Sequence, residues 1–312
     1  MNMKQLAMTT LASLILTGVI GTVAPVASAA TSSVEVLLNA RKMSFPDAKP
    51  FQDENSAVMV PIRFVSEKLG AKVGWSNVAG KQTVTLKTDD HSVVMTVGSA
   101  TAVVDGQSKQ YDSKIILKQS RTFVPLRLVS EGLGQPVNWD QVGKWVWIGS
   151  REVPTLEELN LNTKPISFVK KYFDQRSDST FLNNISNKPY INVLMPKLND
   201  LPIKMNGIIL YDIEPIEING ENYLKLRTDS KNIGVDLLTK NQDFRKRTER
   251  DKLKEKSSDN SVNHYFNLVS FTDELIFKIK DKKPIDVTDI DYVLYEYASK
   301  DSMVLLSNPW RE

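Results

Sequence analysis

Two groups of carboxylates, two histidines and one pair of tryptophans are the side chains in this 312-residue chain whose types and spacing suggest chemistry. Glu214 stands three residues from Glu217, and Asp286 is followed closely by Asp289 and Asp291. Paired carboxylates can act as acid and base on a glycosidic bond, but that needs a spatial separation which spacing along the chain leaves open. Among turn-forming neighbours these acids read as solvated loop residues. His91, beside Asp89 and Asp90, reads as an exposed turn residue, and His264 opens a strand; neither is expected to hold zinc or copper. The chain has no cysteine nucleophile, no G-x-S-x-G elbow, no H-E-x-x-H and no G-x-x-x-x-G-K loop. No catalytic, cofactor-binding or metal-binding residue is therefore expected. Trp145 and Trp147 are candidate ligand contacts. Indoles at alternate strand positions share one face, where they either pack on another part of the protein or form a stacking platform for a sugar ring.

The elements that position these groups are written into the chain twice. Val60-Pro-Ile-Arg-Phe-Val-Ser-Glu-Lys-Leu-Gly70 returns as Val124-Pro-Leu-Arg-Leu-Val-Ser-Glu-Gly-Leu-Gly134, and the same register carries Val73 and Trp75 onto Val137 and Trp139. In each copy a proline suits the first helical turn and a glycine suits the left-handed position just past the end. Between them the spacing of Ile62, Phe64, Val65 and Leu69 predicts a short helix packed on a sheet. Arg63 with Glu67, and Arg127 with Glu131, are four apart and positioned to pair along it. After each helix the period changes to two: Val84 and Leu86 alternate with Thr83 and Thr85, and Val146 and Ile148 with Trp145 and Trp147. Residues 91–97 and 102–104 read as further strands, with Asp105-Gly106 a hairpin turn. Each unit is thus a β-β-α-β element too small to bury its face alone, and the two predict one N-terminal domain over residues 34–149.

The doubled VP-[IL]-R-x-V-S-E-x-LG unit, the trailing V-x-W and the Val103-Val104-Asp105-Gly106 turn resemble the copper amine oxidase N-terminal-like domain of secreted bacterial proteins. The resemblance implies a cell-surface stalk domain of the kind found in Gram-positive bacilli, which in the oxidases themselves is a non-catalytic appendage. It does not imply amine oxidase activity. That chemistry needs copper on three histidines beside a tyrosine-derived quinone, whereas this chain has two histidines, and its Asn222-Tyr223 is followed by Leu224 where an acid belongs.

Residues 1–29 read as a secretory signal: Lys4, an apolar run from Leu6 to Val23, then Ala27-Ser28-Ala29 as the cleavage pattern. No later stretch is apolar enough for a membrane span, so the expected location is extracellular, with cell-wall association. The formal charge is +3, of which the signal carries only Lys4. So even a balance gives no argument for nucleic acid as partner. Residues 150–164, with Pro154 and several acids, read as a linker with a short helix near Thr155. Residues 165–312 predict a strand-rich α+β domain opened by an amphipathic helix over 165–176. Strands are expected over 190–195, 208–213, 223–227, 264–271, 274–280, 292–297 and 303–306, with turns at Asn219-Gly220 and Thr272-Asp273. Lys240 to Lys256 holds eight basic and four acidic residues and reads as a solvated helix or loop, able to attract anionic polymers weakly. The expected fold class is α+β throughout. The expected function is non-enzymatic binding of a cell-wall polymer, a glycan or another surface protein, and the alternative is a wall-active or carbohydrate-active hydrolase that uses acids near Asp286.

Overall fold

Pro61 and Pro125 each stand at the N-cap, one position before the expected first turn, and each opens a seven-residue helix: α1, Ile62–Lys68, and α2, Leu126–Gly132. Both helices end alike. Gly70 and Gly134 take φ of 78° and 75°, and the next residue returns its N–H to the helix, Ala71 to the Ser66 carbonyl and Gln135 to that of Ser130, each at 2.8 Å. This paired capping needs a left-handed residue, which only glycine adopts without cost. Ile62 and Val65 of α1 are buried, whereas Phe64 and Leu69 are only partly covered.

This computed structural model describes residues 34–173, 182–184, 186–268, 285–296 and 298–311. The signal segment expected over residues 1–29 lies outside them, as do the strand over 274–280 and the Thr272-Asp273 turn. Ser33–Glu312 forms one compact unit of α+β class, mostly strands with few helices.

Three sheets enclose the first core. Lys72–Val78, Lys81–Lys87, Ser92–Thr96, Thr101–Val104 and Gln107–Gln110 run as an antiparallel meander. Val84, Leu86, Val93 and Met95 fill its inner face, as strict alternation requires. A second sheet has the order Ile116–Lys118, Arg121–Pro125, Val58–Pro61, Phe51–Gln52, so the strands leading into the two helices are paired with each other, Val124 opposite Val60. The third joins Val137–Asp140 and Trp145–Ile148 to the start of the described chain, Glu35–Leu38, which lies parallel to Trp145–Ile148.

The remaining residues form two further sheets. One has the order Ile203–Met205, Ile208–Ile218, Glu221–Thr228, Val262–Asn267, Glu255–Lys256. The other is a six-stranded sheet centred on Ser302–Ser307, Ile290–Tyr295 and Val235–Thr239. Its alternate residues enter different cores: Val293, Val304 and Leu306 one, Leu294, Met303 and Leu305 the other. The second of these cores is closed by a 3-10 helix, Ile166–Tyr172, where the sequence predicts a longer α-helix. Burial on both faces explains why Val235–Thr239 escapes a reading based on alternation, since all five residues are buried. Leu156 and Asn162–Pro165, from the segment read as a linker, join the first of these cores and the six-stranded sheet. Among the described residues no helix is long and apolar enough to cross a membrane.

Candidate functional site

Four of the five acids singled out in the sequence are engaged by partners of their own. Asp286 caps a 3-10 turn, its Oδ1 accepting from the Thr288 N–H at 2.8 Å and hydroxyl at 2.7 Å, and the backbone hydrogen bond above all holds its pKa down. Asp289 pairs with Lys240, Asp291 accepts from the Tyr172 hydroxyl at 2.7 Å, and Glu214 pairs with Lys225 at 2.8 Å. Among the described residues no group of three or more His, Asp or Glu side chains is arranged to hold a metal ion. His91 Nδ1 lies 2.9 Å from Asp105 Oδ2 in a turn, and Asp105 is held below the usual carboxylate range, chiefly by the Ser92 N–H. His264 is buried inside its strand, between Glu249 Oε1 at 2.6 Å and the Ser230 carbonyl at 2.9 Å. It ties two loops to the sheet.

Trp145 and Trp147 are 1% and 2% exposed. Their indoles pack on each other, on Val153 and on Ile209 and Tyr211 of the strand Ile208–Ile218, with Trp145 edge-on to Tyr211 at 6.2 Å between centroids. They therefore offer no ring face to a sugar, which corrects the platform reading and leaves packing as their role. Arg227, buried beside them, lies over Trp145 at 5.4 Å and Tyr211 at 5.0 Å. Its Nη2 reaches Asp140 Oδ2 at 2.6 Å and also Asp259, and its Nε donates to Ser261 at 3.0 Å. A Cβ at position 143 would stand 2.0 Å from Arg227 Nη1, so any side chain there would displace the guanidinium. Lys42 to Asp212 at 3.2 Å is a second tie across the seam.

Among the described residues the exposed aromatic is Trp75 instead, at 50%. It borders a groove of about 850 Å³ formed by the α1 N-terminus, the hairpin Lys72–Val78 and Lys81–Lys87, and the turn and strand around Ser120 to Thr122. A smaller groove of about 250 Å³ is lined by Pro125, Leu126, Arg127 and Trp139, each 64 positions after Pro61, Ile62, Arg63 and Trp75 of the larger one. In the second groove the indole and the guanidinium are both engaged by neighbouring side chains. Trp139 Nε1 donates to Gln141 at 2.7 Å, and Arg127 pairs with Glu131 at 3.6 Å. In the first groove Arg63 has no ion-pair partner among the described residues, and its expected pairing with Glu67 is absent.

Residues 37–148 match the family model of the copper amine oxidase N-terminal domain. The match covers both repeats and both grooves, and no family matches the C-terminal half. No curated protein matches the chain. The matched region places its two V-x-W tryptophans, Trp75 and Trp139, at the two grooves. The repeat register, which aligns Trp75 with Trp139 beside the two Pro-x-Arg helix starts, is the signal that could have pointed to them.

Beyond this domain, the run from Lys240 to Lys256 is neither a helix nor a loop free in solvent. It contributes the strands Phe244–Lys246 and Glu255–Lys256, buries Phe244 and Arg247, and pairs Lys254 with Glu249 at 3.0 Å and Lys246 with Glu296 at 3.3 Å. Asp236, fully buried next to Glu296, has its pKa pushed well above the usual carboxylate range, first by burial and then by the Glu296 carboxyl. A raised folded pKa means the folded state holds the proton more tightly. This contribution to stability is complete below about pH 4 and is lost as pH rises through the raised value. Asp236→Asn should therefore leave the melting temperature nearly unchanged in acid and raise it by roughly 2–4 °C at neutral pH. Melting curves across this range check it; a difference that does not grow with pH would refute the assignment.

Proposed function

We propose that the protein is exported and acts outside the membrane as a non-enzymatic binding protein of the cell envelope or extracellular material, with the Trp75 groove as its ligand site. The carrying observation is the groove itself, in which a half-exposed indole and an unpaired arginine stand together at the surface. The signal-like segment at residues 1–29 supports export. The stalk-like character of the matched domain supports a surface role.

The strand pairing also supports reading residues 34–149 as one duplicated unit with interlocked halves. Each groove combines the helix of one copy with a serine preceding the helix of the other, Ser120 in the larger and Ser56 in the smaller. The fragment Val34–Val97 should accordingly show no cooperative melting, whereas Val34–Glu312 should. A sharp transition in the shorter fragment would rule out interlocking.

Binding is tested by sedimenting the protein with purified cell-wall material. Trp75→Ala should weaken retention at least tenfold, in keeping with the roughly 2 kcal/mol or more carried by an aromatic anchor. The fold should survive, because the ring is half in water already. Unchanged retention would remove the groove from the function, and release of soluble sugars or peptides by the wild-type protein would replace binding with hydrolysis.

A further inference from the structure

We propose that the Trp75 groove takes an acidic saccharide, a chain of sugar rings bearing carboxylate groups. This rests on the reading of that groove as the ligand site and goes further by assigning the chemistry of its occupant.

The side chains lining the groove divide into three kinds that match three features of such a sugar. Trp75 is half exposed, and an indole face is complementary to the apolar C–H face of a pyranose ring. Asn77 and Gln82 are register partners across the hairpin, and strand alternation puts Asn77 on the same face as Trp75. Both side-chain amides are exposed and make no hydrogen bond among the described residues. Each offers donors and an acceptor, as sugar hydroxyls require.

The third feature is charge. Arg63, Arg121 and Asp47 are the ionisable side chains lining the groove, which leaves it one positive charge in excess. Arg121 is engaged with Asp47 at 3.3 Å, in a pair about half exposed on both sides. Arg63 is exposed at the start of α1 and unpaired among the described residues. A guanidinium is a planar two-pronged donor that fits a carboxylate. A neutral sugar would leave that fork facing water, whereas a uronic acid would engage it while its ring lies on Trp75.

Isothermal titration of the purified protein with three probes tests the assignment: a hexamer of galacturonic acid, a neutral hexose hexamer of comparable length, and hexaglutamate. The uronide hexamer should bind at least tenfold more tightly than the other two. Its affinity should fall with added salt and drop tenfold or more in Arg63→Gln and in Trp75→Ala. Melting temperatures of both variants should stay within about 2 °C of wild type, since surface substitutions without partners change stability little. Equal binding of the neutral hexamer would overturn the role of charge, and equal binding of hexaglutamate would overturn the saccharide class. Uronide binding that survives Trp75→Ala would place it elsewhere on the protein. If wall material is retained through Trp75 while the uronide hexamer fails to bind, the acidic-saccharide assignment falls and the groove remains the ligand site.

Discussion

Arg227→Met should lower the melting temperature by roughly 10 °C or more. Removing one partner of a buried ion pair costs roughly 3–5 kcal/mol, because the other charge is left uncompensated away from water. Here that charge is Asp140, which is as buried as the arginine that it faces at 2.6 Å. The same substitution removes the cation from above Trp145 and Tyr211. Asp259 is about one-third exposed and can be rehydrated, so Asp140 carries most of the cost. Combining Arg227→Met with Asp140→Asn should therefore be milder than the sum of the two single changes, as expected for residues that share one interaction. Calorimetry of the four proteins measures this coupling. Strict additivity would mean that the seam is held by apolar packing and that the ion pair is incidental.

Replacing both Trp145 and Trp147 by Thr, the residues at Thr83 and Thr85 of the sister strand, should abolish folding. Large-to-small changes at buried tryptophans cost roughly 3–5 kcal/mol each. Two of them reach the typical net stability of a folded protein, about 5–15 kcal/mol. The strand that carries them pairs with both Glu35–Leu38 and Val137–Asp140, and its indoles pack against Ile209 and Tyr211. The loss would thus be felt on both sides of the seam. Circular dichroism and solubility report the outcome directly. A double variant that melts like wild type would show that these rings are not supporting the seam, in contradiction to their burial.

Local chemistry explains which parts of the fold were legible in advance. The two helices were, because a proline at the start, a glycine at the end and a repeated apolar spacing all act within about ten residues. The strands containing Val84 and Leu86 were legible because one of their faces is wet. Sheet covered on both sides was not, as Val235–Thr239 shows. The basic run from Lys240 to Lys256 misled for a related reason: the partners of Lys246 and Lys240, Glu296 and Asp289, each lie about 50 positions away along the chain. Charge patterning read locally cannot see them.

The tryptophans mark the boundary between the two kinds of information. From the residues alone it follows that Trp145 and Trp147 share a strand face that was polar in the sister copy, and hence that something must cover it. What covers it is the strand Ile208–Ile218 together with Arg227, more than 60 positions later, and no rule of period or propensity reaches that far. Trp75 and Trp139 are equivalent in sequence and differ in exposure and hydrogen bonding. Gln141 engages one indole, whereas the other borders an open groove beside an unpaired arginine. The repeat, the caps and the strand periods are local properties and belong to the sequence. Which aromatic face stays open to a ligand depends on how distant surfaces meet, and that is settled only when the chain is folded.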